Sequence, residues 1–73
     1  MRYHKVAQFI PGKGDAWMYS ESDDQGVVLR TLTYVPATGE LERIPDPAVK
    51  FLFKPERLLE AQASEFMELW GRG

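Results

Sequence analysis

The sequence predicts an α+β domain in which four or five antiparallel strands form a meander and one C-terminal amphipathic helix packs on one face. Runs of strand-forming residues are separated by turn residues at intervals of about 10–12 residues, the spacing of an up-and-down sheet. The last part of the chain instead repeats its apolar residues with the helical period. A length of 73 residues leaves room for one domain, 1–73.

Four strands are predicted in the first part of the chain, each bounded by turn residues. They cover 3–10, 16–21, 27–35 and 40–44. The segments between them combine glycine with proline or aspartate, which is typical of turns. The third strand is rich in β-branched and aromatic residues and is long enough to lie centrally in the sheet.

The segment 48–53 is open to two interpretations. Its alternation of residues slightly favours a fifth strand. A helical turn after Pro47 is the alternative, because periodicity alone does not separate short apolar runs.

A helix is predicted over 55–70. Pro55 suits a first helical position and Gly71 a helix end. The apolar residues then fall on about half of the circumference, with Phe66 and Trp70 as the largest of them. A second interpretation has Ser64 cap a separate last helix.

The composition argues against most kinds of catalytic and metal site. The chain has no cysteine, which excludes disulfides and thiolate metal ligands, and one histidine, His4. None of the serines lies in a nucleophile elbow. We therefore expect a protein that is not an enzyme, with no catalytic residues, no metal and no cofactor.

Charge and hydropathy bear on partners and on location. Nine basic against 11 acidic residues give a formal net charge of −2, without the basic excess usual in nucleic-acid-binding proteins. No apolar run approaches the roughly 20 residues of a membrane span, and no targeting signal is visible. We expect a cytoplasmic protein without membrane contact. Because so short a chain buries only about 60% of its surface on folding, an oligomer or a complex is favoured.

A binding surface is predicted on the sheet, because one helix covers only one face and both faces carry apolar residues. Aromatic residues and arginine are enriched at protein interfaces. The predicted contacts are Trp17, Tyr19, Arg30 and Tyr34, with Glu21, Asp23 and Asp24 as a polar rim.

These residues favour a small protein-interaction module, such as an inhibitor, immunity or phage-type regulatory protein that acts by surface occlusion. Two alternatives remain open. The aromatic residues could stack the bases of a single-stranded nucleic acid, or the chain could form a structural homodimer.

Two fragments carry a resemblance to a known family. Met18-Tyr19-Ser20-Glu21, followed by an acidic turn and a strand that bears Arg30, resembles the early hairpin of a small bacterial domain family of unknown function. Glu65-Phe66-Met67-Glu68-Leu69-Trp70 is similar to the closing helix of that family. The resemblance implies a fold and no activity.

Overall fold

The computed structural model describes residues 1–48, 50 and 57–72, which form one antiparallel sheet and one helix. The strands follow the order β4-β3-β2-β1-β5, and every neighbouring pair is antiparallel. The predicted α+β class and meander order are confirmed. The elements are β1 (Arg2–Ile10), β2 (Gly14–Ser22), β3 (Val28–Val35), β4 (Glu40–Ile44), β5 (Leu59–Glu60) and α1 (Ala63–Arg72).

The first four strands lie close to their predicted ranges because tight turns fix where each one ends. Between β1 and β2 the Lys13 backbone N–H donates to the Ile10 carbonyl at 2.9 Å. Between β3 and β4 the Gly39 N–H donates to the Val35 carbonyl at 2.8 Å. Gly39 has a φ of +76°, a conformation that residues with a Cβ rarely adopt.

The fifth strand differs from the predicted one. β5 pairs with β1, through Leu59 opposite Lys5 and Glu60 opposite His4, so it lies at the opposite edge of the sheet from β4. The predicted strand at 48–53 falls mostly on residues outside the described ranges.

The predicted helix over 55–70 is wrong in its bounds, because α1 begins at Ala63 and ends at Arg72, past Gly71. Residues 59–60 pair with β1 instead, and the Ala61 N–H donates to the Tyr3 carbonyl at 3.0 Å. The first helical bond runs from the Phe66 N–H to the Gln62 carbonyl, so the helix starts one residue before Ser64. Within the described residues no helix is long and apolar enough to cross a membrane.

The helix covers one face of the sheet, called here the helix face. Directly paired residues of antiparallel strands point to the same side, so the register defines this face. Its core consists of Tyr3, Tyr19 and Leu32 from the sheet with Phe66 and Leu69 from α1. The helix face carries Tyr3, Lys5, Ala7 and Phe9 of β1, Asp15, Trp17, Tyr19 and Glu21 of β2, Arg30, Leu32 and Tyr34 of β3, and Leu41 and Arg43 of β4.

The opposite face carries smaller side chains. Ala16, Val28 and Val35 are buried there, together with Ser20 and Thr31. The Val28 N–H donates to the carbonyl of Lys50 at 2.8 Å, which holds Lys50 against the start of β3. The aromatic residues of the strands therefore belong to the helix face.

Candidate protein-binding surface

The predicted aromatic patch lies under the helix. Trp17, Tyr19 and Tyr34 do share one face, as their alternation predicts, but α1 packs on that same face. Tyr19 is only 5% exposed and belongs to the core, and Trp17 and Tyr34 are partly buried against it. The prediction that Tyr19 contacts a partner is wrong, because its ring supplies apolar area that the helix needs for packing.

The prediction that Glu21 belongs to a polar rim is also wrong, because Glu21 is buried and only 4% exposed. Its carboxylate accepts two hydrogen bonds from Arg30, from Nε at 2.6 Å and from Nη2 at 2.8 Å. The Tyr3 hydroxyl donates a third at 2.7 Å. The hydrogen bonds from Arg30 lower the pKa of Glu21 most, and the bond from Tyr3 lowers it further. The hydrogen bonds to Glu21 in turn raise the pKa of the Arg30 guanidinium. Glu21 of β2 thus links β1 and β3 through buried hydrogen bonds.

Arg30 binds Glu21 and packs against the helix, so its side chain is not free in solvent. Its guanidinium lies 4.6 Å from the centroid of the Trp70 ring and 5.2 Å from that of Phe66. Trp70 in turn stacks on Phe66 with centroids 5.6 Å apart. Arg43 donates to the Trp70 carbonyl at 3.1 Å, near the end of α1. Arginine and aromatic rings therefore join the helix to β3 and β4.

A second polar network joins the start of α1 to the sheet. The Tyr19 hydroxyl donates to Glu65 Oε2 at 2.7 Å, and Lys5 Nζ lies 3.1 Å from the same oxygen. These two bonds lower the pKa of Glu65. Burial, followed by the bond to Glu65, raises the pKa of Tyr19. Lys5 Nζ also lies 5.1 Å from the centroid of the Trp17 ring, so Trp17 is covered on one side by a cation.

Three predicted contact residues remain, and one of them, Tyr34, pairs with Trp17 on the helix face. Tyr34 lies under the guanidinium of Arg72, 5.7 Å from its ring centroid. The Asp23 carboxylate accepts the backbone N–H groups of Gln25 at 2.9 Å and Val27 at 3.0 Å, which shapes the turn before β3. Asp24 is exposed, and its carboxylate lies 3.8 Å from the N-terminal amine. Asp23 and Asp24 thus lie at the turn before β3, apart from the five predicted contacts on the helix face.

One open surface of mixed apolar and polar character lies on the helix face, past the start of α1. A depression of about 420 Å³ is lined there by residues of β1 and β2 and by Arg57. Phe9 is 69% exposed beside it, which is unusual for a phenylalanine. We call this surface the β1 groove and define it by Ala7, Phe9, Asp15, Trp17 and Arg57. Gln8 and Ala16, whose side chains belong to the opposite face, also line the depression.

The register explains how the β1 groove forms. Phe9 pairs with Asp15, and Ala7 pairs with Trp17, so Phe9 and Trp17 are diagonal neighbours with the small side chain of Ala7 beside both. Arg57 reaches the groove from the chain two residues before β5. Of these residues, Trp17 alone is among the predicted protein contacts, and Phe9 is among the aromatic residues considered for base stacking. The available signal was the alternation of β1, which places Phe9 on the same side as Tyr3.

A second depression, of about 340 Å³, lies on the opposite face. Gln8, Thr33 and Glu42 line it, together with the ion pair between Lys13 and Glu40. Ile10, Val35 and Leu41 also line it, so its polar residues outnumber its apolar ones, whereas the reverse holds in the depression beside Phe9. The β1 groove is the better candidate for a contact with another protein.

The structure also brings together three residues that the sequence did not connect. His4 of β1 lies opposite Ser20 of β2 and Glu60 of β5, so a carboxylate, an imidazole and a hydroxyl follow one another across three strands. Ser20 is only 4% exposed, and in the described part of the chain His4 Nδ1 is buried without a hydrogen-bond partner. A nucleophile must reach its substrate, and Ser20 exposes little surface for that.

Comparison of the chain with protein-family models, with curated proteins and with solved structures finds no match. The resemblance to a small bacterial domain family stays a prediction. The β1 groove is therefore the feature from which a function is argued.

Proposed function

We propose that this protein is a small, non-enzymatic protein-interaction module that binds a partner through the β1 groove. It acts by occluding a surface of that partner, as an inhibitor, an immunity protein or a phage-type regulatory protein does. One observation carries the proposal, which is the exposure of Phe9 beside a depression flanked by Trp17.

The physical argument is that exposed aromatic area is costly to leave in water. Burying a phenylalanine side chain contributes about 1.5–3 kcal/mol. Phe9 lies at the end of β1, beyond the reach of α1, whose core contacts are with Tyr3, Tyr19 and Leu32. Phe9 therefore adds little to folding, and a partner that covers it would gain that burial.

The surface also has the anatomy of an interaction site. An aromatic centre with a polar rim is the usual arrangement at protein interfaces, and the side chains of Asp15 and Arg57 provide such a rim. Leu59, 52% exposed, shares the helix face because it pairs with Lys5. It extends the apolar surface one strand outward.

The test is affinity capture with Phe9→Ala and a matched control. The tagged protein is incubated with a lysate of its host, with and without nuclease, and the captured proteins are quantified by mass spectrometry. The control is Met67→Ala, which removes another exposed apolar side chain from α1, outside the residues that line the groove. We expect a partner that survives nuclease, is lost with Phe9→Ala and is retained with Met67→Ala.

Two results would contradict the proposal. Equal capture by both variants would show that the β1 groove is not the binding surface. Recovery that disappears with nuclease, and weakens steeply as salt rises, would instead identify a single-stranded nucleic acid stacked on Phe9 and Trp17.

A further inference from the structure

The β1 groove is open although two large aromatic side chains flank it. Phe9 and Trp17 are diagonal neighbours across β1 and β2, a separation that aromatic side chains can bridge. Only the small side chain of Ala7 lies beside both, and a contact between the two rings would bury apolar area of each. Among the described aromatic rings these two form no close pair, and a depression of about 420 Å³ lies between them instead. Another contact must therefore hold one of the rings away.

Lys5 makes such a contact on the other diagonal of Trp17. It pairs with Tyr19, so Lys5 and Phe9 lie on opposite sides of Trp17 along the sheet. Lys5 Nζ is 5.1 Å from the centroid of the Trp17 ring, close enough for the ring face to attract the cation. The Trp17 ring thus has a charged neighbour on one side and an apolar neighbour on the other.

Glu65 of α1 fixes the position of this ammonium group. Glu65 Oε2 lies 3.1 Å from Lys5 Nζ and also accepts the Tyr19 hydroxyl at 2.7 Å. Since the Tyr19 ring belongs to the core, the carboxylate that it binds is held in place. The bonds from Tyr19 and then from Lys5 also lower the pKa of Glu65, which keeps it charged at neutral pH. The first turn of the helix is therefore connected through Lys5 to the wall of the groove.

We infer that Lys5 is a positioning residue of the β1 groove: held by Glu65, it keeps the Trp17 ring turned away from Phe9 and leaves the space over Ala7 open to a side chain of the partner. The inference rests on the proposed function only for what enters the groove, because the positions of the two rings are measurable on the protein alone. A groove that is open before binding spares the partner the free energy of separating the rings.

The first test follows the two rings by NMR in Lys5→Met, which keeps the apolar stem of the side chain and removes its charge. We expect the nuclear Overhauser effects between the rings of Phe9 and Trp17 to strengthen relative to the wild type, because the rings close on each other. Lys5→Arg should restore the wild-type pattern, since a guanidinium also binds Glu65 and attracts an indole ring. Circular dichroism checks the fold of each variant.

The matched control is Lys13→Met, which removes a lysine that pairs with Glu40 and does not line the groove. We expect its two rings to lie as in the wild type. Rings that stay apart in Lys5→Met, or that close equally in Lys13→Met, would overturn the role of Lys5.

Glu65→Gln tests the same connection in a variant that keeps Lys5. The ion pair is lost, while the Tyr19 hydroxyl still finds an acceptor in the glutamine carbonyl. Protons above an aromatic ring resonate upfield, so Trp17 shifts the signals of the Lys5 ε-methylene group upfield in the wild type. We expect these signals to move toward their ordinary position in Glu65→Gln. An unchanged upfield shift would overturn the connection between α1 and the groove.

Capture of the partner is the second measurement. Lys5→Met is expected to retain the partner roughly two- to fivefold less than the wild type, which corresponds to the loss of one exposed cation–π contact. If the rings close in Lys5→Met but Phe9→Ala captures as much as the wild type, the positioning by Lys5 stands and the proposed function fails. If capture depends on Phe9 but Lys5→Met changes neither the rings nor the capture, the inference is overturned and the proposed function stands.

Discussion

The buried ion pair between Glu21 and Arg30 leads to a quantitative prediction about stability. Arg30→Ala removes both bonds that Arg30 donates to the Glu21 carboxylate, and the Tyr3 hydroxyl remains as its donor. The carboxylate stays buried, since Glu21 is 4% exposed. A buried charge that loses its partner is strongly destabilising.

The magnitude follows from the exposure of the two side chains. Loss of one partner of a fully buried pair costs about 3–5 kcal/mol. The Arg30 side chain is 27% exposed, which places the expected loss near the lower end, at about 3 kcal/mol. The contact of the guanidinium with the Trp70 ring adds about 0.5–1 kcal/mol. The total is a large part of the roughly 4–11 kcal/mol expected for a domain of this length.

The assay is urea unfolding followed by tryptophan fluorescence and circular dichroism. Arg30→Lys is the matched variant, because lysine keeps the charge and loses the paired geometry of the two bonds. We expect Arg30→Lys to lie between the wild type and Arg30→Ala. A loss below about 1 kcal/mol for Arg30→Ala would match an exposed ion pair and refute the reasoning from burial.

Two further predictions concern acid and the core. Hydrogen bonds lower the pKa of Glu21 and Glu65 in the folded state, so their stabilisation is complete above the unfolded value of about 4.3 and is lost as the pH falls through the folded values. Thermal unfolding should show a Tm that declines below about pH 5. The decline should be less steep in Glu21→Gln, which lacks one of the two carboxylates. A Tm independent of pH in this range would contradict the role of both carboxylates. Replacing the fully buried Phe66 by alanine should lower the free energy of unfolding by about 3–5 kcal/mol. Replacing Met67, which is 46% exposed and whose sulfur lies 3.8 Å from Arg30 Nη2, should cost about 1 kcal/mol or less. Equal losses for both variants in urea unfolding would show that α1 does not pack as described.

The strands and the fold class were predictable because they depend on local chemistry. The turn residues and the alternation along β2 and β3 are visible in the sequence, and they place Trp17, Tyr19 and Tyr34 on one face. The start of α1 was not predictable in the same way. Leu59 continues the apolar period of the helix, yet its backbone pairs with Lys5 of β1, a residue far away in the chain.

The candidate site was the least predictable feature. Whether an aromatic side chain is core or surface depends on which face the helix covers and on how far the helix reaches. The helix covers Tyr19 and stops short of Phe9. Tyr19, which carries a hydroxyl, is therefore buried in the core, whereas the more hydrophobic Phe9 is exposed. Arg57 reaches the groove because β5 returns to β1.

The sequence by itself determined the class of the domain, the first four strands of the meander and the absence of thiol chemistry, because periodicity, turns and composition are local properties. The tertiary structure alone decided the pairing of β5, the burial of Glu21 with Arg30, and the exposure of Phe9 beside Trp17. Each of these features depends on contacts between residues that are distant in the chain. The free energy of those contacts depends on how deeply they are buried, which no local sequence pattern specifies.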